Sequence, residues 1–159
     1  MSLYLYNATW IDPETFSGTT TTIKVEEGPF GGMTTDATVP PPSERGPDDG
    51  ILDCTGRIVM PAFGCGHHHI YSALARGMPP APKTPANFLE VLEYVWWRMD
   101  KKLDRDMIEA SALVTGLYCA KNGVTFVIDH HASPFHLEGS LETIAGALDR
   151  VGLGHLLCC

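Results

Sequence analysis

The sequence predicts an α/β chain with a β-rich amino-terminal part, on three observations. Residues 1–60 alternate short β-favouring runs with proline and glycine turns. The remainder reads strand, helix, strand, helix, strand, the order of a parallel β/α fold. The run Val124-Thr125-Phe126-Val127-Ile128 is apolar on both faces, as a strand covered by neighbours on both sides should be. By itself this order fits a doubly wound sheet and a β/α barrel equally well.

The elements follow in turn. Leu3–Tyr6, Thr19–Val25 and Gly50–Asp53 are the first strand runs, separated by Asp12-Pro13, Gly28-Pro29 and the polar, proline-rich stretch Pro40–Asp49, the best candidate for a mobile loop. Asp53–Arg57 reads as a turn and Ile58-Val59-Met60 as a strand. Pro61–Gly66 is a glycine-bearing passage that delivers His67, His68 and His69. Pro79–Pro85 carries the chain over the surface as a rim beside the histidines. Asn87 caps a helix through Phe88, Leu89, Val91, Leu92, Val95 and Trp96, apolar at helical spacing. Asp104 or Asp106 opens a second helix through Ile108, Ala112, Leu113, Leu117 and Ala120, closed by Gly123. After the Val124 strand come Asp129, His130 and His131. Ser140 then caps a helix with Leu141, Ile144, Ala145 and Leu148 on one face, and Val151–Cys159 reads as the next strand.

Composition removes several classes. Net charge is −8, from 11 basic and 19 acidic residues, with no basic stripe, which argues against nucleic acid and anionic membrane as partners. No run reaches the roughly 20 apolar residues of a membrane span, and Met1-Ser2-Leu3-Tyr4 lacks a secretory start, so a cytoplasmic protein acting on a small molecule is expected. Five cysteines without C-x-x-C spacing argue against a disulfide framework.

The chemistry concentrates at the histidine run. In an extended strand side chains alternate faces, so His67 and His69 project to one side and His68 to the other. Two imidazoles fixed at a strand end need only one or two distant partners to complete a zinc-type site. Cys65 shares their parity, which leaves a third-ligand role open.

The run Asp53–His69 resembles the first barrel strand of the amidohydrolase superfamily, a D-x-x-G turn followed by P-G-[FL]-x-[DNC]-x-H-x-H. The match lies at Asp53, Gly56, Pro61, Phe63, His67 and His69, with Ala62 in place of glycine and Cys65 where aspartate is frequent. Tyr71, Leu74, Arg76 and Gly77 resemble the tail of the deaminase and chlorohydrolase branch. The segments S-A-L-A-R-G-M, W-W-R-M-D and D-H-H-A-S-P are most similar to SsnA-like aminohydrolases.

This resemblance implies the N-terminal part of a metal-dependent (β/α)8 TIM barrel preceded by strands of a small β-sandwich. Residues 1–60 would be the partial sandwich and 61–159 the first strands and helices of an incomplete barrel, which in full takes about 250 residues. It implies one divalent metal ion, zinc, held by His67 and His69, with the remaining ligands and the catalytic proton shuttles downstream of Cys159. It implies hydrolysis of a non-peptide carbon–nitrogen bond, by an aminohydrolase, deaminase or chlorohydrolase of a cyclic amidine or nucleobase-like substrate, using metal-activated hydroxide. Tyr71, Arg76, Asp129, His130 and His131 become candidates for contact with substrate or with the ligands, and a homodimer is suggested. The competing readings are a non-catalytic metal-binding module and an interaction fragment presenting the aromatic helix Phe88–Trp97.

Overall fold

The computed structural model describes residues 1–28 and 31–159, which form two compact units, Met1–Pro61 and Ala62–Cys159. The expected break at Gly28-Pro29 lies partly outside the described residues.

In the first unit, β1 (Ser2–Ile11) pairs antiparallel with β2 (Gly18–Glu26), and β2 pairs with the short β3 (Met33–Thr34). β4 (Gly50–Asp53) and β5 (Ile58–Val59) both run parallel to β1, giving one mixed five-stranded sheet. β1 is longer than Leu3–Tyr6 because its register shifts between Leu5 and Ala8, where Asn7 adopts a left-handed φ of 55°. That extra residue breaks the period-two pattern by which the strand's second half would be read. Ala8, Ile23 and Cys54 are buried together, with Leu5, Trp10, Val25 and Val59 packed against them. The proline-rich loop is tied at its end: the amides of Ser2 and Gly46 donate to the Asp49 carboxylate at 2.9 and 3.0 Å. Arg45 Nε donates to the Pro40 carbonyl at 2.8 Å.

Ile58-Val59 does not run on into the histidines. It belongs to the first sheet, and Pro61, which has no amide hydrogen to donate, interrupts the ladder before a new strand begins.

In the second unit, β6 (Phe63–His68), β7 (Val124–His130) and β8 (Gly154–Cys158) form a parallel sheet in that order. Between β6 and β7 lie α1 (Phe88–Val91), a wide π-helical stretch Leu92–Trp96, α2 (Trp97–Asp100) and α3 (Arg105–Lys121). Between β7 and β8 lies α4 (Ser140–Val151). Asn87 and Asp104 cap as expected, their side chains accepting from the amides of Glu90 and Met107. At α4 the cap is Gly139, with a left-handed φ of 73°, rather than Ser140. Ser140 is the first helical residue, and its hydroxyl is committed to the Leu137 carbonyl at 2.8 Å.

Ile70, Ile108, Ala112, Val127, Ile144, Ala147, Leu148 and Leu153 make the core between sheet and helices. Gly116 lets α3 and α4 approach, since a Cβ there would lie 3.2 Å from Val151 Cγ2. Only one face of the sheet is covered among the described residues: Val127 is fully buried, while Phe126 and Leu156 are 42% and 58% exposed. The two-sided apolarity of β7 is thus matched by helices on one side and by an open apolar face on the other. No helix among the described residues is long and apolar enough to cross a membrane.

Candidate metal centre

A strand irregularity decides which histidines meet. On β6, Cys65 pairs with Val127 and His68 with Asp129, so three steps on β6 match two on β7. Partners in a parallel ladder share a face, and Val127 and Asp129, two apart, lie on the same one. Cys65 and His68 therefore both turn toward the helices. Cys65 packs against the core and its thiol donates to the His67 carbonyl at 3.4 Å, so the shared parity expected for Cys65, His67 and His69 is broken. His67 and His69 face the other way.

Their Nε2 atoms are 3.2 Å apart, with the rings edge to face. His69 Nδ1 lies 3.0 Å from the His130 carbonyl. A carbonyl only accepts, so Nδ1 carries a proton, the tautomer in which Nε2 is the nitrogen free to serve as a ligand. A tetrahedral ion with bonds of about 2.0–2.1 Å holds its nitrogens about 3.3–3.4 Å apart. The spacing, the tautomer and the nitrogen donors fit one zinc-type ion. Among the described residues no cluster of three or more histidine, cysteine or carboxylate side chains completes the shell.

The other candidates surround this pair. Tyr71 is buried, edge-on to His69 at 6.0 Å, to Trp96 at 5.8 Å and to His131 at 5.4 Å. Burial, then the negative charges of Asp100 and Asp129, push its hydroxyl up to about 12. The His130 ring stands 5.7 Å from His69. Asp129 is fully buried; its Oδ1 accepts from the Ile70 amide at 2.6 Å and lies 3.9 Å from His68 Nδ1, and burial raises its carboxyl. Its bond is thus to the backbone beside His69 and to neither ligand imidazole. His68 is half-buried, and desolvation lowers its imidazole. Arg76 is exposed on the loop after β6 and lines a cavity of ≈970 Å³ with Tyr71, Leu74, Met78, Trp97 and Leu103. Tyr71 is the side chain shared between that cavity and the histidine cluster.

His131 is buried on the helix side, donating through Nε2 to Ser133 Oγ at 2.8 Å, because that hydroxyl is itself spent on the His136 carbonyl. Burial, reinforced by the neighbouring His130, pushes His131 down to about 4 from an ordinary 6.5. Above pH 6.5 the ring is neutral folded or unfolded. Between 6.5 and about 4 only the unfolded chain takes up the proton, so stability falls as pH drops through that window. Denaturant midpoints measured at pH 7 and 4.5 should draw closer together in His131→Gln than in the parent.

Two residues were not singled out by sequence reasoning. Helical spacing places Trp96 on the apolar pattern of its helix and gives it no part in the site, yet its ring stands 5.3 Å from His69. The π-helical stretch ending at Trp96 turns it there, a device frequent at functional sites. Asp100 is 6% exposed at the end of α2, and its Oδ1 has no hydrogen-bond partner. Burial raises its carboxyl, against the opposing influence of His69 and His130. The only signal for either was the segment Trp96–Asp100, whose chemistry cannot be read without knowing that it folds back over β6.

The second unit is thus a parallel β/α layer that carries a His-x-His pair at the mouth of its first strand. No family model matches the chain. It is 31% identical over 105 residues to the 5-methylthioadenosine/S-adenosylhomocysteine deaminase of Thermococcus sibiricus, covering 66% of this chain and 22% of that protein. It is 29% identical over 108 residues to the 8-oxoguanine deaminase of Pseudomonas aeruginosa, covering 67% and 23%. Among solved structures, a variant of the atrazine chlorohydrolase of Arthrobacter aurescens with zinc and atraton superposes with a TM-score of 0.70 at 21% identity, covering 98% of this chain and 35% of that one. The guanine deaminase of C. acetobutylicum with bound guanine gives 0.67 at 20%, covering 98% and 35%. The chain is thus similar to enzymes of the amidohydrolase superfamily, and it spans about a fifth of the length of the curated relatives it matches.

Proposed function

We propose that this chain is the amino-terminal part of a zinc-dependent aminohydrolase that deaminates a cyclic amidine or nucleobase-like substrate. One observation carries the reading: two imidazoles, one with its tautomer fixed by a backbone carbonyl, converge at the carboxyl-terminal end of the first strand of a parallel β/α layer. That end is where β/α barrels build their sites. The open face carrying Phe126, Ile128 and Leu156 suits the packed interior of a barrel closed by further strands. Deaminases among the sequence relatives favour ammonia as the leaving group.

His67 and His69 would hold the ion, with the other ligands outside these 159 residues. When bound, it supplies water acidified to near neutrality. Tyr71 and Trp96 flank His69 with aromatic surface, leaving the pair half-shielded from water. Asp100 adds a buried, unpartnered carboxyl oxygen whose charge acts on His69 and His130.

The test uses the full natural chain, zinc-loaded, against aminated purines, pyrimidines and triazines, with ammonia and chloride both measured. Ammonia release that stops on chelation and returns with zinc is expected. Chloride release from a chlorotriazine without any deamination would overturn the aminohydrolase assignment. A metal-loaded protein inert toward the whole panel would overturn the hydrolase itself.

A further inference from the structure

We propose that Asp129 is the positioning residue of the metal centre, setting metal affinity through the Ile70 amide without touching the ion. The inference rests on the zinc-site reading above and adds to it the group that holds His69 in place. His69 is not part of the regular ladder. β6 ends at His68, and His69 has φ −132° and ψ 79°, with the chain entering a 3-10 turn at Ile70–Ser72 immediately after. No strand pairing fixes its backbone, so something else must.

The turn's own Ser72 and Ala73 amides donate to the His69 and Ile70 carbonyls at 3.0 Å, and three further bonds bear on that junction. The His130 carbonyl accepts from His69 Nδ1 at 3.0 Å, the Ser72 hydroxyl donates to the His69 carbonyl at 2.8 Å, and Asp129 Oδ1 accepts from the Ile70 amide at 2.6 Å. The third differs from the others in kind. It is fully buried, it is charge-assisted, and it ties the turn after β6 to β7, since Asp129 is the β7 residue in register with His68. A carboxylate in this place has little else to do: its Oδ2 has no partner, and His68 Nδ1 at 3.9 Å is beyond hydrogen-bond reach. Burying such a group is costly unless it is bonded, and here its one bond goes to the peptide that follows the ligand. The same strand end thus grips His69 twice, by the His130 carbonyl on its ring and by the Asp129 carboxylate on its following peptide.

The test measures zinc affinity, by competition with a chromogenic chelator, and the Co(II) absorption spectrum in the full natural chain and its variants. Asp129→Asn keeps an oxygen for the Ile70 amide and should hold zinc within about threefold of the parent. Asp129→Ala should lose roughly 10–100-fold, the range seen when outer-shell partners of metal ligands are removed, and its Co(II) bands should change intensity as His69 reorients. The Ile70 amide proton supplies a measurement independent of how well the alanine variant folds: it should resonate well downfield in the parent and move upfield in Asp129→Asn. A folded Asp129→Ala with parental affinity and spectrum, or an Ile70 amide indifferent to Asp129→Asn, overturns the inference. A parent that binds no metal overturns instead the reading on which it rests.

Discussion

Replacing either His67 or His69 by alanine is expected to weaken metal binding by at least about 100-fold and to abolish turnover in the full natural chain. Structural zinc sites contribute about 10–16 kcal/mol in total, so one ligand of four carries roughly 3 kcal/mol. The loss also has no local substitute. Cys65, the nearest sulfur by sequence, is turned into the core with its thiol on the His67 carbonyl. His68→Ala, one residue away, should leave metal content unchanged, because that ring lies on the helix side near Asp129. Metal content by mass spectrometry of the native protein, read beside ammonia release, separates these cases. Undiminished turnover in a metal-free His67→Ala/His69→Ala variant would refute the assignment.

Leu148→Ala should destabilise the second unit by about 2–5 kcal/mol, the range for emptying a buried leucine site. Leu148 is fully buried where α4 crosses α3, and its Cδ2 would be 3.5 Å from a Cβ on Gly116. The glycine leaves no side chain that could swing in to fill the void. Hydrogen exchange at the Val127 and Ile128 amides reads the loss locally, without assuming that both units unfold together. A change below about 1 kcal/mol would show that the two helices are not held by this contact. Because β7 carries both Asp129 and the His130 carbonyl, the variant should also loosen metal binding when warmed.

The features legible in the sequence were those governed by local chemistry. Asn87 and Asp104 announced helix starts because a short polar side chain ahead of an apolar periodic run has few other uses. The pairing of His67 with His69 was legible from spacing, since the alternation from His67 to His69 holds in the structure, whereas its extension back to Cys65 does not. A bulge is a relation between two strands, and nothing in β6 alone records it. The same is true at Asn7, where an unannounced extra residue lengthens β1. Ser140 was read as a cap by residue type, but Gly139 can take the left-handed conformation there and leaves the serine inside the helix. Asp100 and Trp96 were illegible for a further reason. Their importance lies in which strand end they cover, a long-range fact of packing that helical periodicity does not encode.

Three successive imidazoles could seize a cation in more than one way, and a single surplus residue in their strand selects the outcome. Laid along an unbroken ladder with Cys65 still facing hydrocarbon, the identical string would send His67 and His69 inward and leave His68 alone to greet solvent, a one-toothed claw in place of a chelate. The convergence of His67 and His69 is therefore a property of how two neighbouring strands count against each other, and it would be lost by a slip that changed no amino acid.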